Sequence, residues 1–238
     1  IEDCAQAHGA TYKGRSVGSI GHIGAWSFCQ DKIMTTGGEG GMVTTNDAKL
    51  SSAMWSYKDH GKSWEAVYER KHPPGPRLVH DTFGTNWRML EMQAAIGLIQ
   101  LDRMQAWTER RTEIAHALAD CCRQHAVLRV PDVPDMVRHA YYRFYGFVRN
   151  DKLADGWSRD RIIQEIVDRG VPCMHGSAPE LYLEKAFDGT GWRPAHRLPM
   201  ARELGESGMA LLTHPTITDE QVNKACDVIN EVLALATA

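Results

Sequence analysis

Short apolar runs broken by glycine mark the first fifty residues. The runs at 23–28 and 42–45 predict two strands, and the glycine-rich stretch between them predicts a loop. Ile1-Glu2-Asp3-Cys4-Ala5 reads as the end of a buried strand running into a loop. Asn46-Asp47 predicts the cap of a helix that starts near Ala48. Pro73, Pro74, Gly75, Pro76 and Gly84 predict an extended loop over 71–86. A long helix is predicted from 89 to 124, because Met92, Ile96, Ile99 and Met104 recur at roughly helical spacing, while Gly97 marks close packing.

Beyond that helix the pattern changes. Residues 142–149 read as a strand. Ser158 is a good N-cap for a helix through Arg169 closed by Gly170, with Ile162, Ile163, Ile166 and Val167 on one apolar face. Thr218-Asp219-Glu220-Gln221 is a capping box for a terminal helix, whose Val222, Cys226, Ile229 and Leu233 form a stripe to bury. The elements divide into an α/β region over 1–85, a connecting helix over 86–124 and a small α+β domain over 125–238. A domain rarely starts within a strand, so the chain is expected to be the C-terminal portion of something longer.

Composition narrows the functional classes. Net charge is -3, the isoelectric point is near 6.4 and there is no Lys/Arg run, which argues against nucleic acid as a partner. No apolar run is long enough to span a bilayer. Six cysteines at spacings unlike a zinc site suggest free thiols in a reducing cytoplasm, the expected compartment. His8, His22 and His80 lack metal-ligand spacing, and no metal is expected.

Candidate chemistry gathers early in the chain. Asp3 at a strand end suits a carboxylate projected into a cleft, although composition alone favours a helix-cap or turn residue. Lys32 lies in a glycine-bounded loop after a strand, although most lysines are merely solvated. The Ser27 hydroxyl suits a phosphate donor, or is an ordinary strand serine. Gly37-Gly38-Glu39-Gly40-Gly41 is a phosphate cradle or only a tight turn, and it is no P-loop, because no Gly-Lys-Ser/Thr follows.

Taken together, Glu2-Asp3-Cys4-Ala5-Gln6-Ala7-His8-Gly9, Ser27-Phe28-Cys29-Gln30-Asp31-Lys32 and Gly38-Glu39-Gly40-Gly41 resemble the DegT/DnrJ/EryC1/StrS family of sugar aminotransferases, which shows E-D-x-A-Q-x-x-G, S-F-x-x-x-K and G-E-G-G blocks in this order. The resemblance continues through Gly84-Thr85-Asn86-Trp87-Arg88-Met89, Gln93-Ala94-Ala95-Ile96-Gly97, Gln100-Leu101, Leu198-Pro199 and His214-Pro215, nearly the whole chain.

The resemblance implies a PLP-dependent transferase of fold type I, with part of the large α/β domain and a small C-terminal α+β domain. It implies that Lys32 holds pyridoxal 5'-phosphate (PLP) as a Schiff base and moves protons, and that Asp3 partners the pyridine nitrogen. Gln6 then contacts the phenolic oxygen side, Ser27 is a phosphate ligand, and Asn86 reaches the phosphate of the neighbouring subunit's cofactor in a homodimer with shared sites. Lysine at 32 separates the chain from the family's sugar dehydratases, which have histidine there.

The implied reaction moves an amino group from glutamate or glutamine to a nucleotide-linked keto-sugar, with a leaning to 4-keto-6-deoxy sugars. His60, beside Gly61, is a substrate-side residue or a helix terminus. His175, within the segment that also carries Glu180, Tyr182 and Lys185, is a sugar contact or a surface loop residue. Arg88 is read as structural. The rival readings are a relative acting on a cyclitol or an aromatic precursor, and a non-catalytic PLP-binding or regulatory module.

Overall fold

Short strands and helices alternate along residues 1–238, all of which the computed structural model describes. In chain order they are β1 (Glu2–Asp3), β2 (Thr11–Tyr12), β3 (Arg15–Ser16), β4 (Gly24–Ser27), β5 (Gly41–Thr44), α1 (Ala48–Lys58), α2 (Trp64–Tyr68), α3 (Glu91–Leu101) and α4 (Met104–Cys122). They continue with β6 (Leu128–Arg129), β7 (Val137–Arg138), β8 (Arg143–Val148), α5 (Arg159–Asp168), β9 (Cys173–His175), α6 (Pro199–Ser207), β10 (Gly208–Leu212) and α7 (Asp219–Ala236). None of these helices is long and apolar enough to cross a membrane.

Two compact units result: Ile1–Ala106 with Asp135–Ala140, and Trp107–Pro134 with Tyr141–Ala238. The first unit holds a three-stranded sheet in the order β1-β4-β5, with β1 parallel and β5 antiparallel to β4. It also holds a small antiparallel sheet, β3-β2-β7. Asp47 caps α1 as its sequence position predicts, accepting from the backbone N–H of Lys49 and Leu50.

The second unit folds around a four-stranded sheet, β6-β8-β10-β9, in which each pair of neighbours is antiparallel. Phe144 and Val148 of β8 alternate with half-buried residues and enter one core with Ile162 and Ile166 of α5, Met209 of β10 and Ile229 of α7. Ser158 caps α5, and Thr218 and Gln221 form the reciprocal capping box of α7. Val167 departs from its predicted place, because it is 41% exposed while Ile162 and Ile166 are fully covered. The apolar stripe of α5 is therefore narrower than the sequence suggests.

The single helix predicted over 89–124 is two helices. At the break, the N–H of Arg103 turns back to the carbonyl of Gln100, a tighter step than the α-helical one. Asp102, the C-cap of α3, keeps right-handed helical dihedrals. The periodic positions on α3 also face the other way from expectation. Met92, Ile96 and Ile99 are exposed, and Gly97 is the helix's only buried residue.

Candidate active site

The register of the first sheet sets the geometry. Glu2 pairs with Gly24 and Asp3 with Ala25, so Asp3, Ala25 and Ser27 present side chains on one face while Glu2 and Trp26 present theirs on the other. Asp3 and Ser27 each end their parallel strand, at the same end of the sheet. The exposed Asp3 carboxylate accepts one backbone bond, from Ala5 N–H at 3.1 Å. Gln6 is exposed in the turn that follows. The turn role and the cleft-facing role proposed for Asp3 are therefore compatible.

Lys32 lies in the loop that leaves Ser27 at this sheet end. The loop is closed at its base, where Phe28 N–H donates to Gly40 O at 2.8 Å and Thr36 N–H to Phe28 O at 3.2 Å. Ile33, Met34 and Thr36 are buried, which anchors the half-buried Lys32 from its C-terminal side. The Gly37–Gly41 run forms the return path of this loop, and Gly37 and Gly38 take positive φ.

One face of α3 clamps the loop. Gln93, Gly97 and Gln100 follow each other at spacings of four and three, which brings them into line. Gln100 Oε1 accepts from Thr35 N–H at 2.9 Å, and Gln93 Nε2 donates to Glu39 O. A Cβ on Gly97 would lie 3.1 Å from Thr36 Cγ2, so glycine sets how closely helix and loop approach. These three residues belong to the Gln93–Gly97 and Gln100-Leu101 blocks that carried the family resemblance, and the clamp gives them a physical function.

His60 and Asn86 form a second group in the same unit. His60 N–H donates to Thr85 O at 2.9 Å, and Asp59 and Asn86 make an isolated antiparallel bridge. His60 has φ 61°, followed by Gly61 at 79°, so the chain reverses here just past α1. Sequence reasoning passed over Asp59, which is buried and accepts from Arg88 and Lys62. Burial would push its carboxyl up, but the bonds from Lys62 and Arg88 outweigh burial and hold it below its ordinary value.

Glu2 is a further residue passed over. Its carboxylate accepts from the N–H groups of Gly18 and Ile20, both at 2.8 Å, and of Gly21 at 2.6 Å. Those bonds, led by Gly21 and Gly18, hold the carboxyl below its usual range. An acid followed directly by Asp3, with a Gly-x-x-Gly loop downstream, was the available signal.

His175 lies in the second unit, exposed at the end of β9, with Nε2 3.3 Å from Asp160 Oδ1. Nearby in sequence, Tyr182 O–H donates to Glu180 at 2.6 Å and accepts from Leu198 N–H at 2.9 Å. Cavities of about 520 and 480 Å³ also belong to this unit. A smaller one of about 180 Å³ opens in the first unit beside Gly18, Trp26 and Thr44, on the Glu2 side of the sheet.

The DegT/DnrJ/EryC1/StrS aminotransferase family matches residues 1–230. The chain belongs to this family. A solved aminotransferase from Psychrobacter cryohalolentis is 59% identical, with a TM-score of 0.96, covering 98% of this chain and 61% of that one. A putative L-glutamine:3-amino-2,3-dideoxy-scyllo-inosose aminotransferase of Micromonospora echinospora is 37% identical, over 98% of this chain and 57% of its own. GDP-perosamine synthase of Escherichia coli O157:H7 is 31% identical, over 97% and 57% respectively. The chain thus spans a little over half the length of the curated relatives it matches. Its mixed α/β architecture is that of fold type I PLP-dependent transferases.

The family's cofactor is PLP, and the donor set at the sheet end fits it. Asp3 offers an exposed carboxylate with acceptor capacity beyond its one backbone bond. The Ser27 hydroxyl accepts weakly from Cys29 N–H at 3.4 Å, which leaves its proton available to an anionic oxygen. Lys32 follows in the loop that leaves Ser27 at the same sheet end.

Proposed function

We propose that the full-length protein transfers an amino group from glutamate or glutamine to a nucleotide-linked keto-sugar, with 4-keto-6-deoxy sugars the first class to test. The observation that carries this reading is the sheet end where Asp3 and Ser27 finish parallel strands and the clamped loop presents Lys32. When bound, PLP supplies an electron sink for the carbon that gains or loses the amino group. Lys32 holds the cofactor through its side-chain nitrogen and carries the proton between the two carbons concerned. Asp3 accepts a hydrogen bond from the ring nitrogen and favours its charged form. Ser27 donates to the phosphate, and Gln6 borders the phenolic oxygen.

A second substrate class has a specific support. The Micromonospora relative, named for a cyclitol substrate, is 37% identical, against 31% for the perosamine synthase. A cyclitol ketone is therefore the alternative acceptor. His60 and His175 are proposed on the substrate side, where each offers an exposed imidazole.

We also propose a homodimer in which Asn86 serves the partner's cofactor. Asn86 lies between Phe83 and Trp87, 99% and 68% exposed, and α3 adds the exposed Met92 and Ile99. So much apolar surface next to Asn86 suits a second copy. Sedimentation of the full-length protein as a monomer under assay conditions would overturn the dimer.

The direct test is absorbance of the full-length protein with added PLP. A band near the visible edge that Lys32→Ala abolishes is the expected result, and its absence from the intact protein overturns the assignment. A panel of nucleotide keto-sugars and keto-cyclitols, each with glutamate and with glutamine, then separates the two substrate classes.

A further inference from the structure

Glu2 and Asp3 are adjacent in a strand of two residues and point to opposite faces of the sheet. So short a strand has little pairing of its own. It is held by Glu2 N–H to Ile23 O and Cys4 N–H to Ala25 O, both at 2.8 Å. On the back face the Glu2 carboxylate fills a cradle of three backbone N–H groups from Gly18, Ile20 and Gly21. Converging backbone donors of this kind form an anion site, and here the protein's own side chain occupies it.

The cradle is itself braced against β4 and β5. Trp26 Nε1 donates to Thr44 Oγ1 at 3.1 Å, and Thr44 Oγ1 donates to Gly18 O at 2.8 Å. Gly18 has φ 78° and lies under the Trp26 indole, where a Cβ would overlap the ring. Gly24, the partner of Glu2, is packed against Gly18 as closely. Glu2 thus joins β1 to a loop that β4 and β5 already hold.

We propose that Glu2 is the positioning residue for Asp3: anchored in the 18–21 cradle, it fixes the end of β1 so that Asp3 meets the cofactor's ring nitrogen. The inference rests on the function proposed above. It assigns Glu2 no contact with cofactor or substrate.

The test uses the full-length protein with Glu2→Ala, Glu2→Gln and, as a control for general stability loss, Asp47→Ala, which removes the α1 cap. Three quantities are read: the PLP dissociation constant, the pH at which bound-cofactor absorbance titrates, and hydrogen exchange at Gly18, Ile20, Gly21 and Cys4. Glu2→Ala should weaken PLP about tenfold, the scale of one lost well-placed hydrogen bond. It should also shift the spectral titration and expose those four amides. Glu2→Gln keeps one acceptor oxygen, so it should fall between Glu2→Ala and wild type. Asp47→Ala should lower the melting temperature and leave all three readouts at wild-type values. Wild-type readouts in both Glu2 variants, or equal changes in Asp47→Ala, overturn the inference. A wild-type protein that shows no cofactor band overturns the function reading first, and this inference with it.

Discussion

Arg88 donates to Asp59 across 29 residues of sequence, and the bond ties the segment carrying Asn86 to the end of α1. The Asp59 side chain is 11% exposed and that of Arg88 is 42% exposed, so the pair lies at the edge of the interior. Lys62 adds a second cation at 3.1 Å. Arg88→Met removes one donor and leaves the carboxylate with Lys62. The expected cost is about 1 to 2 kcal/mol, less than for a fully buried pair because solvent reaches the arginine. Urea unfolding of the variant checks it. Because the folded carboxyl is held below its ordinary value, the pair stabilises above the unfolded carboxylate range, and that contribution is lost as pH falls. The difference between wild type and Arg88→Met should shrink in acid.

Gly97 predicts a graded series. An alanine Cβ would meet Thr36 Cγ2 at 3.1 Å and Met34 Cε at 3.6 Å, contacts that a small shift of a methyl group relieves. Gly97→Ala should therefore retain the Lys32 loop, helped by alanine's higher helix propensity of about 1 kcal/mol. Gly97→Val adds branches with nowhere to go and should displace the loop. Loss of the cofactor band at a preserved far-ultraviolet helix signal is the expected signature of Gly97→Val. A normal band there would mean that α3 does not set the loop.

Capping and turn chemistry made much of the fold legible. Asp47, Ser158 and the Thr218–Gln221 box each accept the backbone bonds their positions imply, because a cap is a local arrangement of a few residues. Amphipathic spacing was less dependable. It placed Ile162, Ile166, Ile229 and Leu233 inside, yet Met92, Ile96 and Ile99 have the same spacing and are exposed. Periodicity records that a face is apolar and says nothing of what covers it. The residues that shape the Lys32 loop are Gln93, Gly97 and Gln100, polar or small, and hydropathy alone passes over them. Glu2 and Asp59 escaped for a related reason. Glu2's donors begin 16 residues away and Asp59's arginine partner lies 29 away, and a single acidic residue does not announce a distant donor.

The core of the second unit offers a direct check on packing. Ile229 of α7 is fully buried in a cluster with residues from α4, α5 and the sheet. Ile229→Val deletes one methylene and should cost about 0.5 to 1.5 kcal/mol, whereas Ile229→Ala should cost about 2 to 5 kcal/mol. Val167→Ala, at a 41% exposed position, should be close to neutral. Denaturant unfolding of the paired variants separates a buried stripe from an exposed neighbour.

Glu180 predicts an acid-sensitive segment. Its carboxylate accepts from both Nε and Nη2 of Arg197 and from the Tyr182 hydroxyl. Arg197 first and Tyr182 second hold its carboxyl down to about 2. An unfolded glutamate titrates at about 4.3, so the folded value is the depressed one. The contribution is present in full above the unfolded value and fades as pH falls from there towards the folded one. The Leu198 amide, which donates to Tyr182 Oη at 2.9 Å, reports on this network. Its hydrogen-exchange protection should drop across that acid window while amides within α5 hold theirs. Arg197→Gln removes the main cause of the depression, so the variant should show the lower protection already at neutral pH and a smaller change on acidification. Equal acid profiles for wild type and Arg197→Gln would show that Glu180 does not hold the 180–198 segment in place.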